Sequence, residues 1–283
     1  MRYYKNKEVI EISRFRIIIV VLTLITLSTF LFGLTVLAAG STGGAMEQSP
    51  SILVEGKALP AGSAYLENGC LMVPLRGLAE SLGWNLAWNE DAREISIQDG
   101  GTEIILRLDG DTARVENDML FRMPAPVQVV DGRSFVPLRF VCEHMKLKVG
   151  YDQEMKTAYI FREDREYHLY AEGREFTLVV SNNQSDKPMN FRFNSSQTHD
   201  FVLKQGEDTV WRMSEGKMYL TVVSDRVLGP GQCWTFQGML DKDLAPGEYT
   251  LEAWFNGWDG RYYIKDPNPR AAINYTVPAP AGQ

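Results

Sequence analysis

Residues 68–80 and 131–143 are two copies of one motif, offset by 63 residues. The first reads Asn68-Gly69-Cys70-Leu71-Met72-Val73-Pro74-Leu75-Arg76-Gly77-Leu78-Ala79-Glu80, the second Asp131-Gly132-Arg133-Ser134-Phe135-Val136-Pro137-Leu138-Arg139-Phe140-Val141-Cys142-Glu143. Farther along, Trp88-Asn89 matches Tyr151-Asp152 at the same offset. Asn-Gly and Asp-Gly suit turns that need positive φ. A short apolar strand follows and stops at a proline, which has no N–H for a ladder but fits a helix start. Apolar residues then fall at 75, 78, 79 and 82, and again at 138, 141, 142 and 145, one buried helical stripe each time. Gly83 closes the first helix. Strands are expected over 85–88, 93–98, 103–108 and 113–115, and after the second copy over 148–151 and 157–161. The pattern predicts an α+β domain over 51–163 built from a repeated strand–helix–strand–strand unit.

From 172 onward the period changes to 2. Phe176, Leu178 and Val180 alternate, and further strand-like runs fall at 191–193, 201–203, 210–213, 218–223, 234–236, 249–255 and 262–264. Turn clusters separate them, such as Gln205-Gly206-Glu207-Asp208 and Gly229-Pro230-Gly231. Seven to nine short strands predict an all-β sandwich over 172–278. Residues 163–172 read as a stiff junction and 279–283 as a disordered tail.

The amino terminus carries a different signal. Residues 17–39 hold no charge, and as a helix they would span roughly 34 Å, enough for a bilayer core of about 30 Å. Arg2, Lys5, Lys7, Arg14 and Arg16 stand against Glu8 and Glu11, a net +3 ahead of that run. The chain totals −7, so the rest carries −10. The basic flank stays on the cytoplasmic side, which sends the remainder outside. Residues 1–45 therefore read as a signal peptide, cut near Val36-Leu37-Ala38 or Gly43-Gly44-Ala45, or as an uncleaved membrane anchor with a small-residue spacer. The expected location is the extracellular face, secreted or anchored to the cytoplasmic membrane.

The acidic balance argues against nucleic-acid binding. Three cysteines exclude a disulfide-dense scaffold, and Cys70, Cys142 and Cys233 are expected as free thiols. His144, His168 and His199 share no metal-ligand spacing. Ser214 is not in a Gly-x-Ser-x-Gly elbow. Asp109-Gly110-Asp111 and Asp241-Lys242-Asp243 lack the calcium-loop spacing. No catalytic constellation, metal site or cofactor is expected.

Two resemblances sharpen this reading. The doubled Leu71-Met72-Val73-Pro74-Leu75-Arg76 and Ser134-Phe135-Val136-Pro137-Leu138-Arg139 unit resembles the copper amine oxidase N-terminal domain-like, or stalk domain, family. That resemblance implies an exported, non-catalytic module of Gram-positive cell surfaces. Arg76 and Arg139 are its candidates for binding a wall polymer or another anion. The alternative is an i,i+4 contact with Glu80 and Glu143.

The second half resembles the intracellular proteinase inhibitor family (BsuPI). Phe176-Thr177-Leu178-Val179-Val180-Ser181-Asn182-Asn183, Gln197-Thr198-His199-Asp200-Phe201-Val202, Val210-Trp211-Arg212, Leu228-Gly229-Pro230-Gly231 and Leu244-Ala245-Pro246-Gly247-Glu248-Tyr249 carry it. It implies an immunoglobulin-like sandwich and a serine protease as partner. The protease-contact candidates are Arg212, Met213, Ser214, Lys217 and Met218, in a polar connection that could enter a cleft as an extended strand. Against this, Trp211, Met213 and Met218 could simply be core. The expected function is a non-enzymatic cell-surface protein with an inhibitor domain on a stalk. The alternative is a structural or wall-binding envelope protein.

Overall fold

The computed structural model describes residues 49–59, 64–108, 110–116, 118–184, 186–260 and 270–279. The chain is mostly β, and the described residues contain two short helices. Among them no helix is long and apolar enough to cross a membrane. The segment 17–39, the strand expected at 262–264 and the end of the tail lie outside the described residues.

The first domain runs β1 (Ser51–Val54), β2 (Lys57–Ala58), β3 (Tyr65–Glu67), β4 (Cys70–Pro74), α1 (Leu75–Leu82), β5 (Asn85–Asn89), β6 (Glu94–Asp99), β7 (Thr102–Arg107), β8 (Thr112–Val115) and β9 (Met119–Arg122). It continues with β10 (Gln128–Val130), β11 (Arg133–Pro137), α2 (Leu138–His144), β12 (Lys148–Asp152) and β13 (Thr157–Phe161). The strands form three sheets, ordered β12-β13-β1-β2, β10-β11-β4-β3 and β5-β6-β7-β8-β9. β4 and β11 lie side by side, antiparallel, with Val73 opposite Val136. Each runs into its helix through a proline with φ near −65°, Pro74 (−67°) and Pro137 (−63°). Gly83, at φ +75°, ends α1 in the left-handed region. Leu75, Leu78, Ala79 and Leu82 of α1 and Leu138, Val141 and Cys142 of α2 bury into one core with Ile97, Ile104, Leu106 and Ile160.

β5–β6 and β12–β13 are two antiparallel pairs in the same register. Trp88 faces Ile95 as Tyr151 faces Ala158. They differ in exposure. Every residue of β5 is exposed, whereas Val149, Gly150 and Asp152 of β12 are buried. The second domain causes that difference.

The second domain holds nine strands among the described residues: β14 (Tyr167–Glu172), β15 (Glu175–Ser181), β16 (Met189–Phe193), β17 (His199–Gln205), β18 (Asp208–Arg212), β19 (Ser224–Leu228), β20 (Cys233–Met239), β21 (Gly247–Phe255) and β22 (Ala271–Val277). They form sheets β14-β15-β20, β16-β19 and β18-β17-β21-β22. Phe176 and Leu178 of β15, Phe236 of β20, Phe201 and Leu203 of β17 and Leu251 and Phe255 of β21 meet in a single aromatic-rich core.

Two expectations need correction. Residues 167–172, read as part of a junction, form β14, which pairs with β15. Strict alternation is absent there because His168 and Leu169 are both buried. The strand expected over 218–223 does not form. Residues 213–216 are turns and 217–223 belong to no strand, with Met218 99% exposed.

The two domains share a sealed seam. Tyr159, Phe161, Val179 and Cys233 form a buried cluster flanked by Leu53 and Tyr170. The Thr235 hydroxyl donates to the Tyr159 hydroxyl at 3.0 Å. The His168 ring stacks on Phe161 with centroids 3.8 Å apart. An added Cβ on Gly150 would lie 3.2 Å from Cys233, close enough that the neighbouring side chains would have to shift by a few tenths of an ångström.

Candidate functional site: a braced loop on the second domain

After β18 the chain leaves the sheet through two consecutive turns. Glu215 N–H donates to Arg212 O, and Lys217 N–H to Ser214 O. Gly216, at φ +72°, takes the left-handed position that this reversal needs. The chain then crosses the surface to β19.

Asp200 braces the start of this loop. Its carboxylate is almost wholly buried. It accepts from Arg212 Nη1 at 3.0 Å, Ser214 Oγ at 2.6 Å, Ser214 N–H at 3.0 Å and Phe201 N–H at 3.0 Å. A buried carboxylate with four donors is a satisfied anchor. Met213 N–H donates to Phe201 O at 2.9 Å, and the Met213 side chain packs against the core. Trp211 is buried, and its indole N–H donates to Asp241 at 2.7 Å. That bond holds the Asp241 carboxyl below the usual range. Burial first, and the Asp200 charge second, raise the Tyr219 phenol.

A second brace sits farther along. Ser196 N–H donates to Leu220 O, and Leu220 N–H donates to the Ser196 hydroxyl, both at 2.9 Å. The loop is thus fastened at Ser214 and Leu220, with Glu215, Gly216, Lys217 and Met218 exposed between them and Tyr219 partly buried. Leu220 (74% exposed), Val222 and Val223 continue an exposed apolar run from Met218.

The five candidates therefore divide. Arg212, Met213 and Ser214 hold the loop to the body. Lys217 and Met218 stand in solvent. Met218 is not a core residue, while Trp211 is and Met213 partly is. The exposed stretch 220–223 was not legible in the sequence, because the alternating Met218, Leu220 and Val222 imitate a half-buried strand.

The repeat arginines also divide. Arg139 donates to Val149 O at 2.8 Å and lies 3.3 Å from Glu143. Its Nη2 donates across the seam to Gly231 O at 2.9 Å. Arg139 therefore binds two peptide carbonyls of its own chain, one in each domain. Arg76 is exposed and makes no hydrogen bond or ion pair among the described residues, with Glu80 included. It lines a groove of about 850 Å³ with Trp84, Asn85, Leu86, Trp88 and Arg133.

All three cysteines are free. Cys142 and Cys233 are buried, and burial pushes both thiols far up. His199 packs against Phe236 and Phe201, and burial lowers its pKa. Among the described residues no group of three or more His, Cys, Asp or Glu side chains could hold a metal ion.

Residues 53–160 match the copper amine oxidase N-terminal domain family, and residues 161–259 match the intracellular proteinase inhibitor family. A protein of Brevibacillus choshinensis named protease inhibitor is 25% identical over 147 residues. The alignment covers 52% of this chain and 43% of that protein, so it spans less than half of the relative's length. By these matches the chain carries two segments end to end, 53–160 similar to the copper amine oxidase N-terminal domain family and 161–259 similar to the intracellular proteinase inhibitor family.

Proposed function

We propose that this is a non-enzymatic protein whose second domain inhibits a serine protease by presenting the loop 214–223. One observation carries the reading: a loop with Met218, Leu220, Val222 and Val223 exposed is fastened to the body at two points, by Asp200 of β17 at Ser214 and by Ser196, between β16 and β17, at Leu220. A protease cleft binds extended chain by main-chain pairing, with pockets for alternate side chains. A segment already held in place at two points loses less conformational entropy on binding. The family match of residues 161–259 and the name of the Brevibacillus relative support the same reading.

Met218 is the side chain offered to the specificity pocket, which favours a protease with an apolar pocket. The nine strands are read as an immunoglobulin-like sandwich that supplies the rigid frame. The first domain is read as a stalk, and the charge-free segment 17–39 as the device that exports or anchors the chain. N-terminal sequencing of the mature protein tests that placement.

The inhibitory reading is tested by titrating the full chain against a subtilisin-type protease with a small chromogenic substrate. The expected result is a saturating loss of activity near one equivalent, weakened at least tenfold by Met218→Asp. Undiminished protease activity at a large excess of the chain ends the proposal.

A further inference from the structure

The groove beside Arg76 has a counterpart in the same molecule, and that counterpart is filled. At the repeat offset, Arg76 corresponds to Arg139, Leu86 to Val149, and Trp88 to Tyr151. On the second copy, the turn Gly229–Cys233 of the other domain lies along the outer edge of β12. Tyr151 N–H donates to Gly231 O at 3.1 Å, and Arg139 Nη2 donates to the same carbonyl at 2.9 Å. Tyr151 and Gln232 form a parallel bridge. The docked residue is a glycine at φ +64°, and a Cβ on it would lie 2.6 Å from the Arg139 guanidinium.

On the first copy the same elements stand uncovered. β5 is an edge strand of its sheet, with β6 as its one partner. Trp88 is 51% exposed and Leu86 38%. The buried Trp84, which borders the groove, has an indole N–H with no acceptor among the described residues. Exposed edge N–H and C=O groups are a template for pairing with another chain.

We infer that the groove formed by Arg76, Leu86 and Trp88 is a docking site for a glycine-containing turn or extended segment of another polypeptide, held as Arg139 and Tyr151 hold Gly231. Arg76 and the Trp88 N–H share one peptide carbonyl, and the Trp88 ring covers the segment. A small residue is required where the chain passes Arg76. The contact is between proteins and is independent of protease inhibition through the loop 214–223.

The test uses the full chain, labelled with ¹⁵N, and a synthetic peptide with the sequence of residues 228–236 carrying Cys233→Ser. The indole N–H signals of Trp84 and Trp88 report the groove, and the backbone amides of Val149 and Tyr151 report the seam. The expected result is a saturable shift of both indole signals with the seam amides unmoved. Arg76→Ala, at an exposed position that leaves the fold intact, should weaken the apparent affinity at least tenfold, and a Gly231→Ala peptide should bind more weakly than the parent. The inference is overturned if the indoles do not move at millimolar peptide, if Arg76→Ala leaves the titration unchanged, or if only the seam amides move. It is also overturned if an acidic oligosaccharide shifts both indoles where the peptide does not. Protease titration of Arg76→Ala should match the parent, which separates this contact from the inhibitory one.

Discussion

Arg139 of the first domain donates a hydrogen bond to the Gly231 carbonyl of the second, across 92 residues of sequence and 2.9 Å of space. The same side chain also caps Val149 O within its own domain. Its guanidinium therefore ties a helix, a strand and a foreign turn together. A planar fork of fixed donors suits that task better than a flexible ammonium.

Replacing Arg139 by Ala should cost about 1–2 kcal/mol, since two carbonyls lose a charged donor while Gly231 keeps the Tyr151 N–H. For a chain of this size each kcal/mol lowers Tm by about 2–4 °C. Arg76→Ala, at the equivalent position of the first copy, should change stability by less than about 0.5 kcal/mol. Denaturant unfolding of the two variants side by side measures the contrast. Equal effects would show that the seam does not depend on Arg139.

The seam also predicts a pattern of thiol reactivity. Cys70 is half-buried, while Cys142 and Cys233 are buried and their thiols are held protonated. A thiol reagent at mildly alkaline pH should modify Cys70 first and leave the other two untouched in the folded protein. Gly150→Val places side-chain atoms against Cys233 and Phe161, an overpacking that typically costs about 1–3 kcal/mol. Cys233 should then react ahead of Cys142. Mass spectrometry of timed aliquots gives the order.

The legible part of this structure is the part governed by local period and local turn chemistry. Helix α1 follows from the spacing of Leu75, Leu78, Ala79 and Leu82, and its end from Gly83. β15 follows from the alternation of Phe176, Leu178 and Val180. Long-range surroundings hid the rest. β14 was missed because Phe161 buries His168 from the other domain, so both faces of the strand are covered. Residues 218–223 alternate like a strand, yet no strand among the described residues pairs with them. Arg76 and Arg139 are the same residue in the same motif. Only the position of Gly231 in space gives them different roles, and the repeat itself carries no trace of that.

The brace at Asp200 predicts how the loop fails. Asp200→Ala removes acceptors from Arg212, Ser214 and Phe201 at once. Arg212 is partly exposed and rehydrates, so the loss of stability should be about 2 kcal/mol, below the range for a fully buried pair. The larger effect is on the loop, which no longer has a fixed path between Met213 and Leu220. Digestion with a subtilisin-type protease should cut the variant within 214–223 while the parent resists. Cleavage mapped elsewhere in the chain would show that Asp200 does not hold this segment.

Acid should weaken the fold through its buried imidazoles. The His168 Nε2–H donates to Arg165 O at 2.9 Å, and its ring lies on Phe161. Burial lowers its pKa, with the Arg165 carbonyl acting in the opposite sense. His199 is lowered by burial as well. A histidine with a depressed folded-state pKa binds fewer protons folded than unfolded between that value and about 6.5. Stability therefore rises with pH across this window, is complete above it, and falls as pH drops through it toward the folded pKa. Asp225 and Asp241 have lowered pKa values too, but they act below the ordinary carboxylate range. Between pH 7 and 5 the histidines should dominate the loss. His168→Phe keeps an aromatic ring on Phe161 and removes the proton site. Unfolding free energies of that variant should depend less on pH in this interval than those of the parent. An unchanged slope would assign the acid sensitivity to other groups.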